Sequence, residues 1–470
     1  MAYISVMYKN LFFYFVLMLC VGCSRYPACE PSVEIADDWK TQTPCDNGVE
    51  LSQYWWEVFE DPILNDLEES ALVNNLDAHA ALAKIEAARG RAKVAGASLY
   101  PQLNLQTSDS ESGLFLRNPF VSALSQRVKQ PQSTFLFNLS YEIDAWGKIR
   151  TGQWAAELDE LSSYYNYYSV LLTLTGDVAS FYFQLRSLDS QLELLYQIQF
   201  LYQQSLDLTS NRFNAGLVTH LDVSRARLEL DQIGADMVDA YRQRALTENI
   251  LAILTGKAAS LFCLESGSLS SFSPTICPDL PCTVLENRPD VARAQAQMEA
   301  AHARINVAKA AYFPSIVLSG SLGFSNPNTI KELFNWQSRF WEYAYAIAQT
   351  LFDGGTIVGN IETAKGVYLD QAAVYEQTIL TAIKEVEDAL INLETSEAQY
   401  RIFTQSVEAA EDVRKLSEEE YKHGLVNYLN LVDAERSVLR TERDLIQAQA
   451  QKLIATVALI KAMGGSTDRF

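Results

Sequence analysis

Few residues of this chain have the types and spacing that chemistry requires. The four histidines, His79, His220, His302 and His423, are scattered, and none forms the HExxH pair that holds zinc on one helix face. There is no P-loop, no GxSxG nucleophile elbow and no dinucleotide-binding GxGxxG. The nearest glycine cluster, Gly320-Ser321-Leu322-Gly323, lies in a strand-like run. No catalytic constellation is present, so an enzyme reading has no residues to rest on. Leu429, Asp433 and Arg436 recur at i, i+4 and i+7 and share one helix face. Taken alone, Asp433 and Arg436 form a solvated i, i+3 pair worth little.

The elements that position these residues occur twice. Asn74 to Ala95 with Tyr100-Pro101-Gln102-Leu103 reappears as Asn287 to Ala308 with Phe313-Pro314-Ser315-Ile316. Phe213-Asn214-Ala215-Gly216-Leu217-Val218 reappears as Tyr421-Lys422-His423-Gly424-Leu425-Val426. The near-equal offsets indicate one duplicated unit of about two hundred residues. Each copy reads as a helix, a strand pair and a long helical hairpin. The first helix begins at Asp61-Pro62, a capping aspartate before a proline at the first helical position, and Pro101 stops it.

The long helices give the strongest periodicity. Alternate steps of four and three from Tyr368 to Ala410 meet apolar residues at every position except Ser396. The equivalent walk from Glu160 to Tyr202 is polar only at Glu160 and Gln199. Heptads sustained this far demand helices that coil on neighbours. A helix over 150–211 would reach roughly 90 Å, longer than a compact domain needs. Gly216 and Gly424 fall just past the helix ends, where a residue without Cβ accepts the left-handed conformation. The chain then returns through Leu221–Leu254 and Leu429–Met463.

Four segments alternate with a period of two: Gln102–Ser112, Phe135–Asp144, Ser315–Phe324 and Trp341–Leu351. In the last, Trp341, Tyr343, Tyr345 and Ile347 share one face and Glu342, Ala344, Ala346 and Ala348 the other. Each is about ten residues, enough to cross a membrane at a tilt. The stretches 113–133 and 325–340 read as exposed loops. Open sheet edges are not tolerated in lipid and single-chain barrels start at eight strands, so four strands span only if chains pool them. Two chains would give eight strands and three would give twelve; residue types do not choose.

Composition excludes other classes. The chain has 470 residues, 48% hydrophobic and 20% charged, so it is not a disordered polymer. A net charge of −21 would repel phosphates and argues against nucleic acid as a partner. Lys9 followed by the apolar run Leu11 to Leu19 reads as a secretion signal over 1–22. It ends at Cys20-Val21-Gly22-Cys23, similar to a bacterial lipobox with Cys20 in place of the usual leucine. Cys23 is then the expected site of a covalent diacylglycerol and fatty acid, and no other cofactor is expected. Ser24 after it points toward outer-membrane sorting. Export would leave Cys29, Cys45, Cys263, Cys277 and Cys282 in an oxidising compartment. Cys277 with Cys282, and Cys29 with Cys45, are close enough in sequence to pair, which spacing alone does not settle.

Together the N-terminal and repeated motifs resemble a known family. Tyr54-Trp55-Trp56-Glu57-Val58-Phe59-Glu60-Asp61-Pro62 is similar to the W-x-x-F-x-D-P start of outer membrane efflux channel lipoproteins. Tyr100-Pro101 and Phe313-Pro314 look like that family's strand starts, and Tyr141–Gly147 and Phe352-Asp353-Gly354 its strand exits. Tyr421–Arg436 resembles its periplasmic tip. The likeness, over about 50–465, is to the TolC-like outer membrane factor family, in its lipoprotein (NodT-type) branch. It implies a mainly α fold with a transmembrane β portion, in which a homotrimer forms a 12-stranded outer-membrane barrel continued by a periplasmic α-helical barrel. It implies passive efflux powered by an inner-membrane pump through a periplasmic adaptor. It implies a gate at Leu429, Asp433 and Arg436, with Asp222 as a second tip position in the first copy. Asp433 would then form a ring of three carboxylates that attracts cations. Asn430 stands where Asp222 has its second-copy counterpart, which puts a double aspartate ring in doubt. Gly216, Leu217 and Val218, with Gly424, Leu425 and Val426, match segments that contact the adaptor.

The expected organisation is a leader over 23–61, repeat 1 over 62–256, a linker over 257–286, repeat 2 over 287–465 and a tail over 466–470. The alternatives are the outer-membrane channel of a type I protein secretion system, or a lipid-anchored structural coiled-coil protein. The latter has no use for four amphipathic strands.

Overall fold

A computed structural model describes residues 33–41, 51–116, 126–270, 272–277, 280–327 and 330–465. The expected signal segment, Cys23, and the candidate pair Cys29–Cys45 lie outside the described residues. Eight α-helices and four strands are described. Repeat 1 contains α1 (Pro62–Asn74), α2 (Leu76–Ala97), β1 (Gln102–Leu116), β2 (Gln126–Glu142), α3 (Lys148–Asn214) and α4 (His220–Leu254). After a short α5 (Pro281–Asn287), repeat 2 gives α6 (Pro289–Lys309), β3 (Ser315–Asn326), β4 (Arg339–Ala348), α7 (Thr356–Lys422) and α8 (Tyr428–Met463). The long helices α3 and α7 have 67 residues each, so the duplication holds to the residue there. Among the described residues no helix is long and apolar enough to cross a membrane.

The chain divides into two compact units. One holds Ile85–Ser163 and Ala294–Tyr375, and the other, among the described residues, holds 33–84, 164–293 and 376–465.

The first unit carries the sheet. Its order is β1-β2-β3-β4, every pair antiparallel, with β1 and β4 as edges. The register aligns rows across all four strands. Leu105, Phe137, Leu322 and Trp341 form one row, and Leu103, Leu139, Gly320 and Tyr343 another on the same face. The opposite face aligns Asn104, Asn138, Ser321 and Glu342. There Asn138 donates to Gln106 Oε1 at 3.0 Å and Ser321 Oγ donates to Asn138 Oδ1 at 2.7 Å. One face is therefore an exposed apolar band and the other a hydrogen-bonded polar surface, as the period of two requires.

The strands are 15, 17, 12 and 10 residues, and the longest pair corrects the loop expected over 113–133. Residues 113–116 and 126–133 belong to β1 and β2. Apolar alternation stops near Thr107 and Phe135, so the sequence signal fades while the backbone ladder continues. Polar cross-strand pairs carry it: Ser108 with Thr134 at 2.7 Å and Ser133 with Asp109 at 2.6 Å. The expected fourth strand likewise shifts from Trp341–Leu351 to Arg339–Ala348.

Both strand-to-helix exits use the same device. Asp144 accepts from the N–H groups of Ile149 and Arg150, at 3.1 and 3.0 Å, at the start of α3. Asp353 accepts from Gly355 and Ile357, at 2.9 and 2.7 Å, at the start of α7. The N–H groups of Ile357 and Gly355 hold the Asp353 carboxyl below its ordinary value.

The second unit holds the main core. Trp55, Trp56 and Phe59 pack with Leu64, Val178, Tyr182, Phe183, Leu390 and Ile460. Asp61 joins them: one carboxylate oxygen caps α1 through Ile63 and Leu64, and the other accepts from Tyr182 Oη at 2.5 Å. The N-terminal motif is thus a structural fastening. The expected single helix from Pro62 to Leu99 is broken at Asn75, whose side chain accepts from Asp77 and Ala78 and restarts the helix.

The inter-repeat linker is not slack. The Asp189 side chain is 3% exposed and accepts from Arg244 Nε at 2.6 Å, from an Arg186 amino group at 3.2 Å and from the Gly267 N–H at 3.1 Å. Arg186 also donates to the Glu265 carbonyl, Arg244 to the Leu264 carbonyl, and Glu248 accepts from the Leu264 N–H. Cys277 is disulfide-bonded, whereas Cys263 and Cys282 are free and exposed. The expected Cys277–Cys282 option therefore does not form, and the partner of Cys277 lies outside the described residues.

Candidate functional site

The hairpin tips close the second unit at one end, and their backbone explains their sequence. The N–H of Gly216 reaches the Phe213 carbonyl and that of Leu217 the Arg212 carbonyl, both at 2.9 Å. The N–H of Gly424 reaches Tyr421 and that of Leu425 reaches Glu420, at 3.1 and 2.9 Å. Each is the paired 5→2 and 6→1 closure of a helix end that needs a left-handed residue; φ is 76° at Gly216 and 73° at Gly424. The closure leaves Leu217 and Leu425 each 74% exposed, so the expected docking leucines project into solvent. Val218 is partly buried and Val426 likewise. Arg212 lies over the Tyr421 ring at 4.8 Å, and Ser205 bonds the Tyr428 hydroxyl at 2.9 Å, joining the two hairpins.

The expected gate residues fall in two groups. Leu429, Asp433 and Arg436 share the first turns of α8 and are exposed. Asp222 is engaged locally: its carboxylate accepts from the Thr219 N–H at 3.0 Å and hydroxyl at 2.8 Å, capping α4. Asn427 does the same work for α8 through the Asn430 N–H. Asp433 stands 3.8 Å from Arg436, a loose pair.

Arg436 has a stronger partner that the sequence reading missed. It forms a two-pronged bridge to Glu229 of α4, with Nε to Oε2 at 2.9 Å and a second bond to Oε1. One heptad further along, Arg443 bonds Asp236 of α4 at 3.1 Å. Equal spacing of seven, 229 to 236 and 436 to 443, was the available signal. Both pairs line a cleft of about 460 Å³ with Tyr202, Arg440 and Asp444. Behind them sits Glu435. Burial pushes its carboxyl up to about 7, although Arg414 opposes this, and Oε2 has no hydrogen-bond partner. Among the described residues no group of acids, histidines or cysteines could hold a metal ion.

Among the described residues, an amphipathic four-stranded sheet with two open edges, joined to helical hairpins of this length, defines a class: a protein with a membrane-type β portion and a long helical portion. The particular family follows from comparison. Residues 67–257 and 280–465 each match the outer membrane efflux protein family, one match per repeat, and the chain belongs to it. It is 30% identical to outer membrane protein OprJ of Pseudomonas aeruginosa, over 96% of this chain and 95% of that one. It is 28% identical to the toluene efflux pump outer membrane protein TtgC of Pseudomonas putida, over 94% and 93%. Its fold matches the Vibrio cholerae outer membrane protein VceC, with a TM-score of 0.81, 27% identity and coverage of 89% and 100%. It matches the open state of the Neisseria gonorrhoeae MtrE channel with a TM-score of 0.82, 27% identity and coverage of 95% and 99%. The protein is an outer-membrane exit channel for efflux, with a transmembrane β portion and a helical portion reaching into the periplasm.

Proposed function

We propose that three copies pool their strands into a twelve-stranded barrel, and that solute crosses it passively after delivery from a periplasmic adaptor and an inner-membrane pump. The sheet supports this most directly. It is apolar on one face and polar on the other, and its edges β1 and β4 have no strand partner among the described residues. Lipid does not tolerate such edges, and pairing β4 of one copy with β1 of the next removes them. Small apolar solutes are the proposed cargo, in line with the toluene named for one relative. No bond-making step is part of this reading, since the driving energy would come from the pump. Cys23 is the proposed lipid anchor.

The gate proposed is α8. Leu429 and Asp433 would narrow the pore, and Arg436 would be held back by Glu229. Leu217 and Leu425, with their neighbours Gly216, Val218, Gly424 and Val426, would dock on the adaptor, where exposed leucines at a capped turn suit a partner surface. Conductance in a planar bilayer tests the reading. Wild type should conduct little and prefer cations, and Asp433→Ala with Arg436→Ala should conduct more and lose that preference. A folded, inserted trimer that never conducts in either form would overturn it.

A further inference from the structure

The outer end of the apolar sheet face carries a built cationic site. Thr107, Phe135, Phe324 and Arg339 form its last row, on the same side as Trp341, Tyr343, Tyr345 and Ile347. From Ile347 to Arg339 the strand runs roughly 26 Å at about 3.3 Å per residue, which at the tilt of barrel strands is about 20 Å of height, most of a barrel's apolar band. Just beyond this row the ladder turns polar, with Ser108 on Thr134 and Ser133 on Asp109, so Arg339 stands at the outer limit of the apolar face. The strands join their helices at the other end, so this end faces away from the periplasm.

Residues 330–338, between β3 and β4, fold over this row. Phe334 packs on Phe135 and on Phe324, each at 5.5 Å between ring centres. Leu333 is 3% exposed, and buried Ser338 accepts from Asn326 at 2.9 Å while donating to the Glu332 carbonyl at 2.9 Å. This anchored turn holds Trp336 against Arg339. The guanidinium lies 3.2 Å from the Trp336 ring centre, and Nε donates to the Trp336 carbonyl at 2.9 Å. Among the described residues of one chain, Arg339 has no carboxylate partner. Stacking covers one face of the guanidinium and Nε is engaged, which leaves the terminal amino edge for a fork-shaped acceptor. Between Ile330 and Arg339 the chain has two cations, Lys331 and Arg339, and one acid, Glu332.

We propose that Arg339, set by Trp336, binds the phosphate of a glycolipid in the outer leaflet around the barrel. A phosphate presents two oxygens to the amino edge, and the lipid's acyl chains would lie along the Trp341–Ile347 stripe. Three copies would place three such sites around the barrel. The proposal rests on the sheet's position in the outer membrane and is independent of cargo and gate.

Native mass spectrometry of the detergent-released trimer tests it, with bisphosphorylated lipid A, fully dephosphorylated lipid A and inorganic phosphate as probes. Wild type should retain bisphosphorylated lipid A about tenfold better than Arg339→Gln, the scale of one charge-assisted pair of bonds. Arg339→Lys should fall between, because a lysine keeps charge but not the fork. Equal retention of phosphorylated and dephosphorylated lipid by wild type would overturn the site. So would displacement of the lipid by inorganic phosphate alone, which would mark a simple anion site. If Arg339→Gln fails to form trimers, the wild-type comparison of the two lipids and the Arg339→Lys variant decide. Arg339→Lys retaining lipid as well as wild type would remove the fork from the argument.

Discussion

Two ionic clusters in the helical unit use the same residue types to opposite ends. At the linker, Arg186 and Asp189 have side chains 3% exposed, Arg244 is 14% exposed, and each is tied to linker backbone. At the tip, Glu229 is buried but Arg436 and Arg443 are 53% and 42% exposed, and among the described residues no backbone group shares the bridges. Buried charge in a saturated network is costly to disturb, because each orphan loses both partner and water. Half-exposed pairs can separate into solvent at low cost. The linker cluster is therefore a fixture, and the tip pairs are a fastening that can be released.

The largest effect expected is at the fixture. Asp189→Ala should lose about 3–5 kcal/mol, since it takes the carboxylate from Arg186, 3% exposed, and from Arg244, 14% exposed. Thermal unfolding would show the loss, and hydrogen exchange should speed up first at residues 264–269. A shift no larger than that of an exposed pair would erase the contrast drawn between the two clusters.

Glu435 comes next and has a defined pH window. Its folded carboxyl holds a proton up to about 7, whereas the ordinary value is 4.5. Between these values the folded state binds more protons than the unfolded one, so stability falls as pH rises through the window. The penalty is complete above pH 7 and absent below about 4.5. Glu435→Gln should therefore raise stability at pH 8 by up to about 3 kcal/mol and change nothing near pH 4. Unfolding midpoints measured across that range check the sign; a gain at pH 4 equal to that at pH 8 would exclude titration as the cause.

What the sequence revealed follows the reach of its signals. Duplication, heptads and tip glycines are local or periodic, and the helix ends at Asn214 and Lys422 lie within three residues of those expected. Strand alternation was legible only where one face meets lipid, so the outer halves of β1 and β2 were misread as loop. The linker looked loose because its proline and cysteine content is that of a turn region. Its anchors, Asp189, Arg186 and Arg244, are spread over α3 and α4 and read there as ordinary helix-surface charge. At the tip, Arg436 and Asp433 come from the family resemblance, and helix spacing adds only that they share one face. Glu229 was missed because its partner is 207 residues away and no periodicity in one helix exposes a pair between two. Asp222 was legible as a tip residue, and its observed bonds are those of a cap.

Smaller effects separate fastening from fixture. Glu229→Gln with Asp236→Asn should cost only about 1 kcal/mol per pair, and less in high salt. Yet conductance at low salt should rise, because α8 loses both bridges to α4. High salt should bring wild type toward the variant, since screening weakens the same bridges. Wild-type conductance scaling only with bulk conductivity would show that the bridges do not hold the tip.

The smallest stability effect, at Asp433, should accompany a specific functional one. Its carboxylate is exposed, 3.8 Å from Arg436, and supports no other contact, so Asp433→Asn should shift stability by less than about 0.5 kcal/mol. Three copies facing one pore would still set its charge, and the neutral ring should lose cation preference without a large change in total conductance. Reversal potential across a salt gradient measures this directly. Selectivity unchanged in Asp433→Asn, with opening intact in the Glu229 variant, would leave the bridges as the gate and remove the carboxylate ring as its filter.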